Sequence, residues 1–296
     1  MKVSVLGAGP LTAPLTQLLT LAGSDVRAFD LAPGSPAEEH AAALDHAELI
    51  FLTVPGPKLA ASLPSLGLRP EHRVIICGRG PDDATGLWLS ALVSLRTPCV
   101  RVGALAGPLS PAEVERGSPA AAIIASAFQD VRVRAQAALH SPRCRVYTSD
   151  DLRGVELSAS AARALTAAIG MSDAMGMGAG VRGLLLSRGL AELRRLGKAV
   201  GANPDTFVGL AGVGEVVAAS AAADNPAYLA GRALLRGDAD PHDEALAVTA
   251  ALVKLGERNK VDLPLLEAVH EVATGRLTAK EALKGLMERA AKLGGE

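Results

Sequence analysis

Apolar residues in the first half of the chain come in short runs, several of them closed by glycine, proline or an acidic side chain. Positions 3–6, 25–30, 49–54, 73–77, 100–104 and 121–125 read as strands. A helical stretch follows the first run, from the Gly7–Gly9 turn to about Ala22, and further helical stretches separate the later runs. Strands alternating with helices predict right-handed βαβ units and a doubly wound parallel sheet.

From about Asp150 the period changes to that of helices. Leu157, Ala161, Leu165 and Ala168 share one helical face, and Leu186, Leu190, Leu193 and Val200 share another. On the latter helix Arg188, Glu192 and Arg195 are expected to face outward. Positions 243–253, 263–274 and 278–293 supply more amphipathic turns, and no strand alternation is expected after Val146. The boundary falls near Thr148–Asp151, which predicts domains over 1–149 and 150–296, the second all-helical.

The length of 296 residues suits two such domains. Thirty basic and 31 acidic residues leave a net charge of −1, which argues against a nucleic-acid partner held by general electrostatics. With 49% hydrophobic and 21% charged residues, extended disorder is excluded. The weakly charged start of the chain is broken by Gly7, Gly9, Pro10 and Pro14, so neither a signal peptide nor a membrane helix is expected. Cys77, Cys99 and Cys144 form no disulfide framework and show no metal spacing, which fits a cytoplasmic protein. The histidines (His40, His46, His72, His140, His242, His270) show no metal spacing either, and no metal is expected.

The sharpest motif is Gly7-Ala8-Gly9, placed after a strand and before a helix, with Asp30 closing the second strand. Glycines there let backbone approach a pyrophosphate, and the helix N-terminus supplies amide donors and the positive dipole end. The fold class is therefore α/β, a Rossmann-type doubly wound parallel sheet followed by an all-α C-terminal domain. A carboxylate at Asp30 would accept from the adenosine ribose hydroxyls and repel a 2′-phosphate, which favours NAD over NADP. Thr12 stands where the fingerprint has its third glycine, and Pro10 removes one amide donor from the cradle. A bare GxG turn without a nucleotide is the plain alternative.

Several segments carry a resemblance to a known family. Asp151-Leu-Arg-Gly154-Val-Glu156-Leu157, Ser187-Arg188-Gly189-Leu190-Ala-Glu192-Leu-Arg-Arg-Leu196-Gly197 and Gly209-Leu-Ala-Gly212-Val-Gly214-Glu215 resemble the NAD(P)-dependent glycerol-3-phosphate dehydrogenases. So do Gly107-Pro108-Leu-Ser-Pro-Ala112-Glu113-Val114 and the tail Asp262-Leu-Pro264-Leu-Leu-Glu-Ala-Val269. The resemblance implies hydride transfer between a nicotinamide and the secondary alcohol of glycerol 3-phosphate, giving dihydroxyacetone phosphate. It also implies a small anionic substrate and a homodimer.

Carried over position by position, the resemblance puts cofactor contacts at Gly7, Gly9, Pro10, Leu11, Asp30, Val54 and Pro55. The family's proton-transferring lysine falls on Ala162 and its asparagine neighbour on Arg163. Its aspartate becomes Glu215, the threonine after it Ala219, and the arginine of its phosphate grip Pro226, beside Asn225. Arg79 replaces a lysine in the substrate-side loop. Alanine transfers no proton, a loss of typically about 10²–10⁴ in rate. The candidate catalytic residues are then Glu215 and Arg163, and the substrate-binding candidates Arg79 and Asn225. Each has a plain reading: Glu156 as an acid near its own helix start, Arg163 and Arg188 as exposed helix residues, Asp224-Asn225-Pro226 as a turn. Three functions stay open: a dehydrogenase of glycerol-3-phosphate type, a related dehydrogenase with a changed substrate, and a nucleotide-binding protein without catalysis.

Overall fold

The computed structural model describes residues 1–30, 37–82, 85–240 and 243–288. His242 and positions 289–293 of the expected last helix lie outside them. Two compact units result, Met1–Glu156 and Leu157–Glu296.

The first unit is built on β1 (Lys2–Leu6), α1 (Thr12–Leu21), β2 (Asp25–Phe29), α2 (Ala37–His46), β3 (Leu49–Leu52), α3 (Gly56–Ser62) and β4 (Arg73–Ile76). Then come α4 (Leu89–Arg96), β5 (Arg101–Ala106), α5 (Pro111–Glu115), β6 (Ala120–Ala125), α6 (Gln129–Leu139) and β7 (Cys144–Ser149). The strands form one sheet in the order β2-β1-β3-β4-β5-β6-β7. Both faces are buried, so successive residues serve opposite layers. Val3, Val5, Leu49, Phe51 and Ile75 pack with Leu15, Leu18 and Leu19 of α1. Leu6, Ile50, Leu52, Val74 and Ile76 pack with Leu59, Leu89 and Leu92 on the other side. Each such side chain contributes roughly 1.5–3 kcal/mol of transfer free energy.

Two features differ from the sequence expectation. β6 runs antiparallel to β5 and parallel to β7, so the parallel sheet turns over at its far edge. β7 itself was not expected as a strand, although its buried and exposed residues alternate from Cys144 to Tyr147 as an edge strand requires.

The second unit continues along α7 (Leu152–Ala174), which starts in the first, and holds α8 (Ala179–Ala199), α9 (Glu215–Ala221), α10 (Pro226–Arg236), α11 (Glu244–Asn259), α12 (Pro264–Ala273) and α13 (Ala279–Glu288). Helices with small residues let their neighbours approach closely: a Cβ at Gly231 would meet the carbonyl of Ala167, and one at Gly170 that of Tyr228. Glu192 does not face outward as its helical period suggested. It is 2% exposed and accepts from the amides of Leu265 (2.9 Å) and Leu266 (3.4 Å), satisfying the first turn of α12. Burial pushes its carboxyl up to about 7. Among the described residues no single helix is long and apolar enough to cross a membrane.

Candidate functional site

In the first unit the sheet's order reverses at β1, which has β2 on one side and β3 on the other. Ligands of such sheets bind beyond the carboxyl ends of the strands at this point. The Gly7–Leu11 loop leaves β1 there. Gly7 has φ +124°, a conformation other residues rarely adopt, and a Cβ on it would lie 2.7 Å from the Val54 amide nitrogen. A Cβ on Gly9 would run into the carbonyl oxygen of Thr53. Both glycines are therefore fixed by how closely the loop passes the exit of β3, where Val54 and Pro55 follow. On the other side the Gly7 amide donates to Phe29 O at 2.9 Å, and Asp30 follows next, exposed at the end of β2. Gly7, Val54 and Asp30 thus stand level along one edge.

The donors available to an anion can be counted from the covalent structure. Pro10 and Pro14 carry no N–H. The Thr12 amide donates to Gly9 O at 3.0 Å. Leu11 and Ala13 are the residues whose first-turn amides remain to meet a phosphate. Thr12 does not merely fill the missing glycine's place. Its hydroxyl lies 3.0 Å from Gly7 O and 2.7 Å from the hydroxyl of Thr53.

Arg79 lies past the end of β4. Its Nη1 donates to Cys77 O at 3.0 Å and Leu105 O at 2.9 Å, tying the exits of β4 and β5 together. Glu156 is buried and does not serve the start of its own helix. It accepts from the Ser90 amide at 3.0 Å and from the Ser90 hydroxyl, in the first turn of α4. Burial raises its pKa to about 7, against the opposing pull of the Ser90 hydrogen bonds and the Arg79 charge. Cys77, buried beside Arg79, is pushed up to about 12 and stays a thiol.

In the second unit α7 is packed on all sides. Across positions 154–172 every residue is buried except Arg163. Ala162, at the lysine position, is 3% exposed, and its carbonyl accepts from the Thr166 hydroxyl at 2.7 Å. Arg163 is not a solvated helix residue: its Nη1 donates to Glu244 at 3.0 Å, at the first residue of α11. Glu215 opens α9, half-buried, after a wide turn over Leu210–Gly214. Gly212, three residues before it, has a packing reason, since a Cβ there would strike Phe207 O and lie 2.7 Å from the Ser158 hydroxyl.

Asn225 is not a free loop residue. Its Oδ1 accepts from the amides of Ala227 (3.0 Å) and Tyr228 (3.3 Å), which makes it the cap of α10 with Pro226 in the first turn. Tyr228 donates to Asp173 at 2.8 Å, and Arg182 holds the same carboxylate at 2.7 Å. Lys198 is exposed near the end of α8. His72 and His140 accept from the backbone amides of Arg69 (2.9 Å) and Val146 (3.2 Å). Among the described residues no cluster of His, Cys, Asp and Glu has the makings of a metal site.

Sequence reasoning passed over three residues: Ser90, Thr53 and Glu244. Glu244 follows Asp243, whose side chain caps α11 through the amides of Ala245 (2.8 Å) and Leu246 (3.4 Å). The acidic pair therefore reads as a helix start, and only the fold reveals that one member turns to Arg163.

A family model described as NAD-dependent glycerol-3-phosphate dehydrogenase C-terminus matches residues 151–284. A Brucella ovis protein named glycerol-3-phosphate dehydrogenase (NAD(P)+) is 32% identical over 268 residues, which cover 88% of this chain and 82% of that one. A Streptomyces griseus protein of the same name is 34% identical over 266 residues, 85% of this chain and 79% of its own. The crystal structure of glycerol-3-phosphate dehydrogenase from Coxiella burnetii shares the fold, with a TM-score of 0.85 at 24% identity over 97% of this chain and 98% of that one. Fold, motif order and relatives agree: the chain belongs to the NAD(P)-dependent glycerol-3-phosphate dehydrogenase family.

Proposed function

We propose that the chain binds NAD(H) along the exits of β1, β2 and β3 and acts as a dehydrogenase on a small secondary alcohol or ketone of the glycerol 3-phosphate and dihydroxyacetone phosphate type. The observation that carries this reading is the close fit of Gly7 and Gly9 against Thr53 and Val54, with Asp30 level beside them. Gly7, Gly9, Pro10 and Leu11 would follow the pyrophosphate, Asp30 the adenosine ribose, and Val54 and Pro55 the wall beyond it. Bound there, the nicotinamide supplies the hydride acceptor or donor. The hydroxyl proton must leave by another route, and at the lysine position Ala162 has no group to take it. Water, or a carboxylate such as Glu215, then carries the proton. Arg79 is the candidate for an anionic substrate group on the first unit and Asn225 on the second.

A second reading, a related dehydrogenase with a changed substrate or a homologue without catalysis, is favoured by the same unit's charges. Arg163 is engaged by Glu244, Asn225 by the α10 amides, and Pro226 stands at the arginine of the phosphate grip. Steady-state oxidation of NADH by dihydroxyacetone phosphate separates the readings. Turnover near the common enzyme value of about 10 per second supports the first. NADH binding without that turnover supports the second.

We further place the chain in the cytoplasm as a homodimer. Three free buried cysteines suit a reducing compartment. Leu184 on α8 (45% exposed) and Val217 on α9 (52%) offer apolar surface for a second copy. Light scattering on the purified protein tests the dimer.

A further inference from the structure

The dinucleotide loop carries a side-chain contact that the glycine fingerprint alone does not explain. Thr12, the first residue of α1, and Thr53, just past β3, bring their hydroxyls to 2.7 Å. Each also touches a carbonyl of the β1 exit: Thr12 Oγ1 lies 3.0 Å from Gly7 O, and Thr53 Oγ1 lies 3.2 Å from Leu6 O. Two hydroxyls have two protons for these three contacts. Either Thr12 donates to Thr53 and Thr53 to Leu6 O, or Thr53 donates to Thr12 and Thr12 to Gly7 O. Both arrangements tie the start of α1 to β3 across the loop.

The place of this tie gives it a role. Gly9 is pressed on the Thr53 carbonyl and Gly7 on the Val54 amide, so Thr53 is the surface against which the loop is set. Thr53 is 5% exposed, which keeps water from competing for the tie. With Pro10 and Pro14 unable to donate, the cradle depends on few amides, and those of Leu11 and Ala13 must be well aimed.

We propose that Thr12 and Thr53 form a clasp that positions the phosphate-binding loop, with the two hydroxyls acting as positioning residues for a dinucleotide pyrophosphate. The proposal rests on the NAD(H) reading above. It assigns the clasp to the pyrophosphate and not to the adenosine or nicotinamide ends.

The test uses the full chain, with Thr12→Val and Thr53→Val to remove each hydroxyl at nearly constant shape, and Thr12→Ser and Thr53→Ser to return it. Dissociation constants are measured by titration for NADH, for ADP-ribose and for adenosine. The valine variants are expected to weaken NADH and ADP-ribose by roughly three- to tenfold, the size of one or two aimed hydrogen bonds. Adenosine, which lacks the pyrophosphate, should bind as to the parent, and the serine variants should restore NADH binding. Equal weakening of adenosine would show a general loosening of the unit and overturn the clasp. Unchanged binding of all three ligands by folded valine variants would also overturn it while leaving the cofactor reading intact. Failure of the parent chain to bind NADH or ADP-ribose would overturn the cofactor reading and the clasp with it. Should a valine variant not fold, the comparison of Thr12→Ser with Thr12→Ala gives the same contrast at the more exposed of the two positions.

Discussion

Arg163 donates to Glu244 across 3.0 Å, and it is the one residue among positions 154–172 of α7 that is not buried. The Glu244 carboxylate offsets the guanidinium charge locally. The side chains are 33% and 31% exposed, so water screens the pair and it adds less than about 1 kcal/mol to stability. An engaged guanidinium also has less to offer an anion.

Glu244→Gln should leave the thermal midpoint within a few degrees of the parent, as loss of about 1 kcal/mol predicts. The same change should lower the KM for dihydroxyacetone phosphate by roughly tenfold, the equivalent of one freed charge-assisted hydrogen bond of about 1.5 kcal/mol. Steady-state kinetics on this variant and on Arg163→Ala decide the matter. A KM that moves in neither variant would make the pair purely structural.

Ala162→Lys is the complementary change. If hydride transfer here lacks only the proton carrier, a lysine should raise kcat for dihydroxyacetone phosphate reduction by at least about a hundredfold, the lower end of what general acid–base groups contribute. Ala162 is 3% exposed, so the longer side chain will also lower the thermal midpoint. A folded variant with unchanged kcat would show that the proton travels by another route or that the substrate differs.

The parts of this fold that the sequence announces are those governed by local periodicity. The runs around Val3, Ile50 and Val74 are buried on both faces, so they read as strands without any tertiary knowledge. Gly7 and Gly9 were legible because the covalent chain permits few substitutes at such an approach. β7 was not, since its alternation spans only Cys144–Ser149 and lies next to the change of period. Glu192 was misassigned because helical spacing gives a face but not the partner that waits there, in this case the Leu265 and Leu266 amides. Of the candidate site, the glycines and Asp30 follow from pattern. The engagement of Arg163, Glu156 and Thr12 depends on residues 81, 66 and 41 positions away, and no spacing rule reaches them, whereas Asn225 before Pro226 is a local cap pattern.

Two buried glutamates, Glu156 and Glu192, give the protein a pH dependence with a definite sign. Burial raises both Glu156 and Glu192 to about 7 from an ordinary value of 4.5. The folded state therefore holds their protons more tightly than the unfolded state. That contribution to stability is fully present below about 4.5 and is lost as pH rises through about 7. At about 1.4 kcal/mol per pK unit, each carboxyl amounts to roughly 3 kcal/mol. Urea unfolding should show higher stability at pH 5 than at pH 8, and Glu156→Gln or Glu192→Gln should reduce that difference. A flat profile in the parent would mean that both carboxyls ionise as ordinary ones do.

Asp30 sets the last expectation, the choice between the two nicotinamide dinucleotides. It follows β2 directly, exposed, and level with the Gly7 amide that donates to Phe29 O at 2.9 Å. A 2′-phosphate on the adenosine ribose would bring up to two negative charges towards this carboxylate, whereas ribose hydroxyls would donate to it. One pair of like charges about 4 Å apart costs about 1 kcal/mol in bulk water and about 4 kcal/mol near a protein surface. NADH should therefore bind at least about tenfold more tightly than NADPH, and Asp30→Asn should narrow that ratio mainly by improving NADPH. The repulsion is between exposed charges, so it should fade in 1 M salt, where the screening length is about 3 Å. The loss of hydrogen bonds to the ribose should not. Fluorescence titration of both dinucleotides at low and high salt separates the two contributions. A preference for NADPH in the parent chain at low salt would show that Asp30 does not face the adenosine ribose.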